Sequence, residues 1–182
     1  FLNEGGKWFG LHGTNALIEF VGEMQIVDGL EIPGKTDTPN KNPELMKLLG
    51  SRFVAHPPNM SIKVKVNDKS HPITKDLNDF EIFDEPYYCE FSDGIKVLLE
   101  SRYTDDADAY VHSSWKEDIP RPQMYLHKVG KGGVLYLMLG HCRGKYDMRP
   151  FMDECPVDRG GWESEAFYEL LRRGIKWGIN KI

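Results

Sequence analysis

One hairpin of apolar stretches decides the fold: Met124-Tyr-Leu-His-Lys-Val-Gly-Lys-Gly-Gly-Val-Leu-Tyr-Leu-Met-Leu-Gly-His141. Its centre, Gly130-Lys-Gly-Gly133, predicts a tight turn, because glycine supplies the positive φ angles that short hairpin turns need. Residues 134–139 are apolar throughout, which predicts a returning strand that is buried on both faces. This strand runs directly into Gly140-His141, so the sequence predicts a histidine at its carboxyl end.

A second predicted strand, near the start of the chain, also ends in a histidine. Residues 7–11, Lys-Trp-Phe-Gly-Leu, predict a short buried strand, and His12-Gly13-Thr14-Asn15 predicts a sharp turn. Residues 16–21 are predicted to begin a helix that the turn caps. Buried strands, amphipathic segments and glycine-rich strand ends together predict an α/β fold with a mainly parallel sheet. Because ligands bind outside the carboxyl ends of such strands, we expect His12 and His141 to face one cleft.

The rest of the chain divides into short elements and polar loops. The alternation Ile-Lys-Val-Lys-Val-Asn at residues 62–67 predicts a strand with one wet face. The other predicted elements are helices at 44–49 and 163–179 and strands at 80–83 and 96–100. We also predict a surface loop at 28–43, an exposed polar segment at 103–118 and a long irregular loop at 144–161.

Composition narrows the class of protein. A chain of 182 residues suits a single domain, which we place at residues 1–182, and 40% hydrophobic residues are enough for a folded core. The formal net charge of −5 argues against nucleic-acid binding, and we see no apolar run of membrane-helix length. The three widely spaced cysteines (Cys89, Cys142 and Cys155) predict reduced thiols in a cytoplasmic protein.

The two strand-end histidines are the first candidates for chemistry. A strand that turns sharply into a helix exposes its tip residue, here His12, and leaves the backbone amides of Gly13 and Thr14 free for an oxyanion. His141 offers a general base, a hydrogen-bond donor or a metal ligand. The alternative for both is structural: His12 packs the turn, and His141 bonds a loop carbonyl.

Asp84-Glu85-Pro86-Tyr87-Tyr88 is the next candidate. Neighbouring carboxylates on an extended segment point to different faces, so at most one of them faces a given site. Glu85 and Tyr87 could supply an acid/base group and a sugar contact, although an exposed acidic turn explains the segment equally well. His56, which precedes two prolines, could reach the site from a loop.

We therefore predict a catalytic set of His12, His141 and Glu85. The predicted substrate-binding residues are Gly13, Thr14, Asn15, His56, Tyr87, Arg143 and Trp162. The chain has no His-Glu-x-x-His and no paired cysteine motif, so no cofactor is assigned. Zinc or another divalent metal held by His12, His141 and a carboxylate stays open.

A series of short blocks, in order along nearly the whole chain, resembles the ThuA (trehalose utilisation) family. The blocks are Gly5-Gly-Lys-Trp-Phe-Gly-Leu-His-Gly13, Leu49-Gly50, Phe53, His56-Pro57, His71-Pro-Ile73, Phe80, Asp84-Glu-Pro-Tyr87, Gly130-Lys-Gly-Gly-Val-Leu-Tyr136, Leu139-Gly-His141 and Leu171-Arg-Arg-Gly-Ile-Lys-Trp177. The resemblance implies a class I glutamine amidotransferase-like fold, a flavodoxin-like sandwich. It also implies that an N-terminal strand–helix–strand unit is missing from this chain.

The resemblance also implies a role in the catabolism of trehalose-like or keto disaccharides. The amidotransferase relatives carry a cysteine at the elbow, where this chain has His12, so we do not expect a glutamine amidotransferase. The leading hypothesis is an isomerase, lyase or hydrolase that performs acid/base chemistry on a small carbohydrate. Two alternatives stay open, a non-catalytic sugar-binding or assembly module and a metal-dependent hydrolase, and so does homo-oligomer formation.

Overall fold

The computed structural model describes residues 1–27, 30–32, 34–150 and 152–182. Short 3-10 turns cover Leu2–Glu4, His12–Asn15 and Gly160–Glu163. The two α-helices of the described residues are α1 (Pro43–Leu49) and α2 (Glu165–Gly178). Their strands are β1 (Lys7–Leu11), β2 (Glu19–Val21), β3 (Gln25–Val27), β4 (Leu30–Ile32), β5 (Lys35–Asp37), β6 (Ser51–Ala55), β7 (Met60–Val66), β8 (Phe80–Asp84), β9 (Tyr88–Phe91), β10 (Lys96–Ser101), β11 (Arg121–Val129) and β12 (Gly132–Leu137).

The central sheet has six strands in the order β1-β12-β11-β10-β7-β8. Strand β1 pairs with β12 in parallel, with Leu11 opposite Leu137, and the other neighbours in this sheet are antiparallel. The two strands that precede His12 and His141 are therefore adjacent and run in the same direction. Both histidines leave the sheet at the same edge for this reason.

The fold is α/β, as predicted from the sequence. The prediction of a mainly parallel sheet in a flavodoxin-like sandwich is wrong, because most neighbouring strands of the central sheet are antiparallel. Parallel neighbours need a crossover of a dozen or more residues, usually through a helix. Here β11 and β12 are joined by the two-residue turn Gly130-Lys131, and only two α-helices lie in the described ranges. The sheet is consequently mixed and mostly antiparallel.

The helix predicted to begin at residues 16–21 is also wrong. The chain makes a single 3-10 turn after β1 and then enters β2. The Thr14 hydroxyl donates to the Leu11 carbonyl (2.6 Å), and the Asn15 N–H donates to the Tyr136 hydroxyl (2.8 Å). The first bond ties the turn to β1 and the second ties it to β12, and the chain then extends into β2, where Phe20 and Val21 suit a strand.

Two predicted loops contain more structure than their composition indicated. Within residues 28–43 the described part includes β4 and β5, while residues 28, 29 and 33 lie outside the described residues. The segment at 103–118 is not wholly exposed, because Tyr103, Ala107 and Tyr110 are buried. Strands β6 and β9, which pair with each other, had not been predicted.

The other predicted elements match the structure closely. Asn42 caps α1 by accepting the Leu45 N–H (3.1 Å), and Gly50 ends that helix with a left-handed φ of 86°. Strand β7 alternates between exposed and buried side chains, and β12 is buried from Gly133 onward.

No helix of the described residues combines the length and the apolar character needed to cross a membrane.

We expect the substitution Gly174→Ala to destabilise the protein by about 1–3 kcal/mol, because an added methyl group overlaps the Phe9 ring where α2 packs on β1. Alanine improves helix propensity by about 1 kcal/mol, which offsets only part of this cost. Urea unfolding measures the difference. The control is Gly178→Ala in the same helix, where the added methyl group meets no atom within 4 Å. Equal midpoints for the two variants would contradict the prediction.

Candidate active site

Four strands deliver side chains to one point at the edge of the central sheet. His12 follows β1, His56 follows β6, Glu85 follows β8, and His141 lies four residues beyond β12. Together with Tyr87, these five residues form what we call the Glu85 cluster. The structure thus brings together the three residues predicted to be catalytic and two of those predicted to bind substrate.

The Glu85 carboxylate is the centre of this cluster. Its Oε2 lies 3.2 Å from Nε2 of His12, and its Oε1 lies 3.2 Å from Nε2 of His56 and 3.3 Å from Nδ1 of His141. The Glu85 side chain is 11% exposed, and the imidazoles are 14–25% exposed. One mostly buried carboxylate is therefore shared by three imidazoles that solvent still reaches.

The backbone fixes where two of the imidazoles carry a proton. Nδ1 of His12 lies 2.9 Å from the Met138 carbonyl, and Nδ1 of His56 lies 2.8 Å from the Pro57 carbonyl. A carbonyl only accepts, so each Nδ1 must donate. In both rings Nε2 then faces the Glu85 carboxylate. That contact is attractive when Nε2 also carries a proton, or when Nε2 and the carboxylate bind the same metal ion. The arrangement thus concentrates proton-exchanging atoms around one negative charge.

Burial and charge set the protonation of these groups in different directions. Burial alone would raise the pKa of Glu85, but hydrogen bonds with His12 and His141 and the charge of His56 together hold it well below its usual range. The hydrogen bond with Glu85 raises the pKa of His141 despite partial burial, whereas burial lowers the pKa of His56. Glu85 therefore favours the charged form of His141, while burial opposes the charged form of His56.

Tyr87 lies between two imidazole rings and completes the cluster. Its ring centre is 4.4 Å from that of His12 and 6.2 Å from that of His56, with an angle of 28° between planes in both pairs. The Tyr87 hydroxyl is 2.8 Å from Nε2 of His12. Burial raises the Tyr87 pKa well above its ordinary value, so the phenol stays protonated, and its hydroxyl donates to Nε2 of His12 only when that nitrogen carries no proton.

Asp84, which had not been predicted as a site residue, binds the backbone on which Glu85 and His141 lie. Its fully buried carboxylate accepts the backbone N–H groups of Glu85 (2.7 Å), Gly140 (2.9 Å) and His141 (3.0 Å). Burial raises the pKa of Asp84, although these N–H groups oppose the shift. The signal in the sequence was an acidic residue at a core-facing position of an alternating strand, Phe80–Asp84.

His12 has the backbone conformation expected of an exposed tip residue. Its φ angle is +39°, in the left-handed region that non-glycine residues seldom occupy. The Tyr136 hydroxyl donates to the His12 carbonyl (2.6 Å), and a Cβ added at Gly13 would lie 3.7 Å from the Tyr87 hydroxyl. Strain of this kind persists only where surrounding contacts hold it, and it is common at functional sites.

The remaining residues predicted to bind substrate lie around the cluster rather than in it. Asn15 is fully buried and donates to the Ser51 hydroxyl (2.6 Å), and the Thr14 hydroxyl bonds back to β1. Arg143 Nε donates to the Pro156 carbonyl (3.4 Å), and Trp162 Nε1 donates to the Gly140 carbonyl (3.0 Å). In this structure these four side chains support turns and loops next to the histidines.

Three members of the cluster could also hold a metal ion. His12, Glu85 and His141 each offer one ligand atom, and these atoms lie within 4.8 Å of one another. Two histidines and one carboxylate are a common set of protein ligands for catalytic zinc, with bond lengths of about 2.0–2.2 Å. Such a set occupies three of the four tetrahedral positions and leaves the fourth for water or substrate. They are the residues that the sequence had suggested for a metal, with Glu85 as the carboxylate.

Comparison with known proteins supports the fold. A putative ThuA-like protein from Bacteroides uniformis has a TM-score of 0.60 at 19% identity, covering 99% of this chain and 61% of its own. A putative ThuA-like protein from Parabacteroides merdae has a TM-score of 0.58 at 18% identity, covering 97% of this chain and 61% of its own. The present chain thus spans about three-fifths of these two solved structures.

A search of curated proteins finds no match. The family model described as ThuA, trehalose utilisation, matches residues 33–155, a segment that carries His56, Glu85, Tyr87 and His141. Because this match covers more than half of the sequence, the chain belongs to the ThuA family.

Proposed function

We propose that this ThuA-family chain is an enzyme of carbohydrate catabolism that transfers protons on a carbonyl-bearing sugar, such as a keto disaccharide. The observation that carries the proposal is the convergence of His12, His56 and His141 on Glu85 where the strands end. The family description, trehalose utilisation, supplies the class of substrate.

The chemistry follows from the charge state of each group. A proton next to a carbonyl is removed more easily when an acid donates to the carbonyl oxygen as negative charge develops there. His12 is the base in this scheme in its neutral form, in which Nδ1–H stays bonded to the Met138 carbonyl and the unprotonated Nε2 faces the cluster. His141, whose pKa Glu85 raises, is the acid, and the Tyr87 hydroxyl is a second donor.

Both outcomes of this step balance without a further reagent. Where the deprotonated carbon bears a hydroxyl group, enolisation gives an enediol; His12 then returns its proton to the former carbonyl carbon, and the other hydroxyl gives its proton to His141 as it becomes the new carbonyl. Loss of a group from the carbon beyond the enolate gives an elimination product, with the leaving group protonated by His141. A trehalose-like disaccharide that carries a keto group next to such carbons suits either reaction.

Covalent catalysis by a thiolate has less support. Cys89 is partly buried against the core beside Asn15, and burial raises its pKa to about 12. The Cys155 thiol is buried and lies near the Gly144 carbonyl (3.2 Å), while Cys142 is exposed on the loop after β12. None of these three thiols takes part in the contacts around Glu85.

The proposal is tested by proton exchange with solvent. The purified protein is incubated in D₂O with trehalose and other disaccharides, and with the corresponding keto disaccharides, and carbon-bound protons are followed by NMR. Loss of a signal next to the carbonyl, or a new product, supports proton transfer. Saturable binding of a keto sugar without exchange or product would instead favour the non-catalytic sugar-binding module.

The second candidate function is a metal-dependent hydrolase, and the clustering of three possible ligand atoms favours it. Treatment with a chelator distinguishes this candidate from acid/base catalysis without a metal. If protons alone carry the positive charge in the cluster, treatment with EDTA should change turnover less than twofold and leave Tm unchanged. Elemental analysis of the untreated protein is measured alongside. A bound divalent ion, with at least tenfold loss of activity on chelation and recovery on adding Zn²⁺, would contradict the acid/base proposal.

A further inference from the structure

We propose that Asp158 is a positioning residue for His141: its carboxylate accepts a hydrogen bond from Nε2 of that imidazole, which leaves Nδ1 facing Glu85. This inference deepens the proposed function, since it concerns the same site and names the group that orients the acid. Asp158 had not been predicted from the sequence, and it lies 17 positions after His141 in the chain.

The two nitrogens of the His141 ring have different surroundings. Nδ1 lies 3.3 Å from Glu85 Oε1, while Nε2 lies 3.6 Å from Asp158 Oδ2. Nε2 is buried, and among the described residues it has no partner within hydrogen-bond distance. A buried polar nitrogen needs a partner, and the carboxylate of Asp158 is the acceptor that the structure places beside it.

The Asp158 carboxylate is itself held in a defined orientation. Its Oδ2 accepts from Asn59 Nδ2 (2.6 Å), and its Oδ1 accepts the Gly160 N–H (3.0 Å). The backbone of Asp158 pairs with that of Arg143 through two hydrogen bonds of 2.7 and 3.0 Å. The group that would orient His141 is therefore tied both to the segment that carries His141 and to the loop between β6 and β7.

Close packing keeps the segment at residues 158–160 against His141. Gly160 has a φ angle of +43°, and a Cβ at that position would lie 2.6 Å from the His141 carbonyl oxygen. The distance of 3.6 Å between Nε2 and Oδ2 exceeds a hydrogen bond, so a movement of about 0.6 Å is required to form one. Hydrogen bonds at catalytic groups are often long in unliganded enzymes and shorten when substrate binds.

Orientation of His141 by Asp158 has a simple chemical consequence. A carboxylate that accepts from one nitrogen of an imidazole fixes its tautomer and presents the other nitrogen to the site. With Nε2–H directed at Asp158, Nδ1 is the atom that exchanges a proton with substrate next to Glu85. Asp158 does not touch the reacting atoms in this scheme and acts through the ring.

The competing explanation is that Asp158 only fastens its loop through Asn59. The substitution Asp158→Asn and the double exchange Asn59→Asp with Asp158→Asn separate the two roles. The double exchange keeps an amide–carboxylate hydrogen bond between positions 59 and 158 but moves the negative charge away from position 158. A fastening role predicts full rescue by the double exchange, whereas the positioning role predicts recovery of thermal stability alone.

Two measurements decide between these explanations. Nitrogen-15 NMR of histidine-labelled protein, recorded where His141 is neutral, reports which ring nitrogen carries the proton and requires no substrate. We expect the Nε2–H tautomer in the original protein, loss of that preference in both variants, and a 10- to 100-fold lower kcat on the keto sugar with little change in KM.

Either of two results would overturn the inference: an Nδ1–H tautomer in the unsubstituted protein, or a double exchange that restores both the tautomer and kcat. Because the NMR measurement is made without substrate, the inference can hold even if the proposed sugar chemistry fails. Conversely, a normal tautomer without any turnover would count only against the proposed function.

Discussion

The substitution Glu85→Gln is expected to lower turnover of a keto sugar by about 100- to 10,000-fold, the range typical for loss of an acid/base group, because Glu85 raises the pKa of the proposed acid, His141. Glutamine keeps the size of the side chain but removes the negative charge that His12, His56 and His141 share. An amide also turns a donor toward imidazoles that are themselves donating. The geometry around the substrate is therefore disturbed together with the charge.

The pH profile of the same variant gives a second, independent result. Glu85 raises the pKa of His141, so the charged acid persists at a pH where an ordinary histidine has lost its proton. Activity that needs this proton is present below that pKa and falls as the pH rises through it. In Glu85→Gln the alkaline limb of kcat/KM should move to lower pH, because the cause of the upward shift is gone.

A matched control is available on the same strand. Glu81 also lies on β8, but its side chain is exposed and accepts a hydrogen bond from Ser61. Glu81→Gln should leave both turnover and the alkaline limb in place. If Glu85→Gln behaves as this control does, with kcat/KM and its pH dependence unchanged, Glu85 has no part in the chemistry.

The substitution His141→Gln is expected to have an effect of similar size, with a loss of about 100- to 10,000-fold in kcat. His141 is the imidazole that Glu85 holds in its charged form, so its replacement removes the proposed acid. Glutamine can still donate a hydrogen bond, which preserves some substrate binding, and KM should change much less than kcat.

This loss must be separated from unfolding. The backbone N–H of residue 141, which donates to Asp84 (3.0 Å), remains available in the glutamine variant. We therefore expect near-normal circular dichroism and Tm for His141→Gln. His112→Gln, on an exposed loop, serves as the control for histidine replacement as such. Full activity of His141→Gln would rule out the proposed acid.

The sequence alone was enough to predict which histidines lie at the ends of buried strands. An apolar run followed by Gly-His predicts a histidine where a buried strand stops, and this pattern occurs at Gly140-His141. The parallel pairing of β1 with β12 then places His12 at the same edge, with the two rings 5.8 Å apart. Only this one parallel pair was needed, so the wrong direction assigned to most other strands did not affect where these side chains lie.

Other parts of the site depend on contacts between residues distant in the chain. Local pattern could not decide whether Asp84 or Glu85 faced the site, because alternation along β8 assigns them to opposite faces without saying which face is covered. Asp158 comes from an irregular loop, and nothing in its neighbourhood predicts an approach to His141. A helix was expected to begin at residues 16–21, directly after the turn at 12–15, since the hydrogen bonds of this turn to Tyr136 are not visible in the sequence.

The carboxylate of Asp84 accepts N–H groups from the end of β8 and from the segment after β12. Local opening of either segment must break the bonds from the Gly140 and His141 N–H groups to Asp84, so we expect Glu85 and His141 to belong to one cooperative unit of hydrogen exchange. The acid and the carboxylate that charges it would then be lost together in any partial unfolding event. A locally opened molecule should be inactive even while the rest of its sheet stays folded.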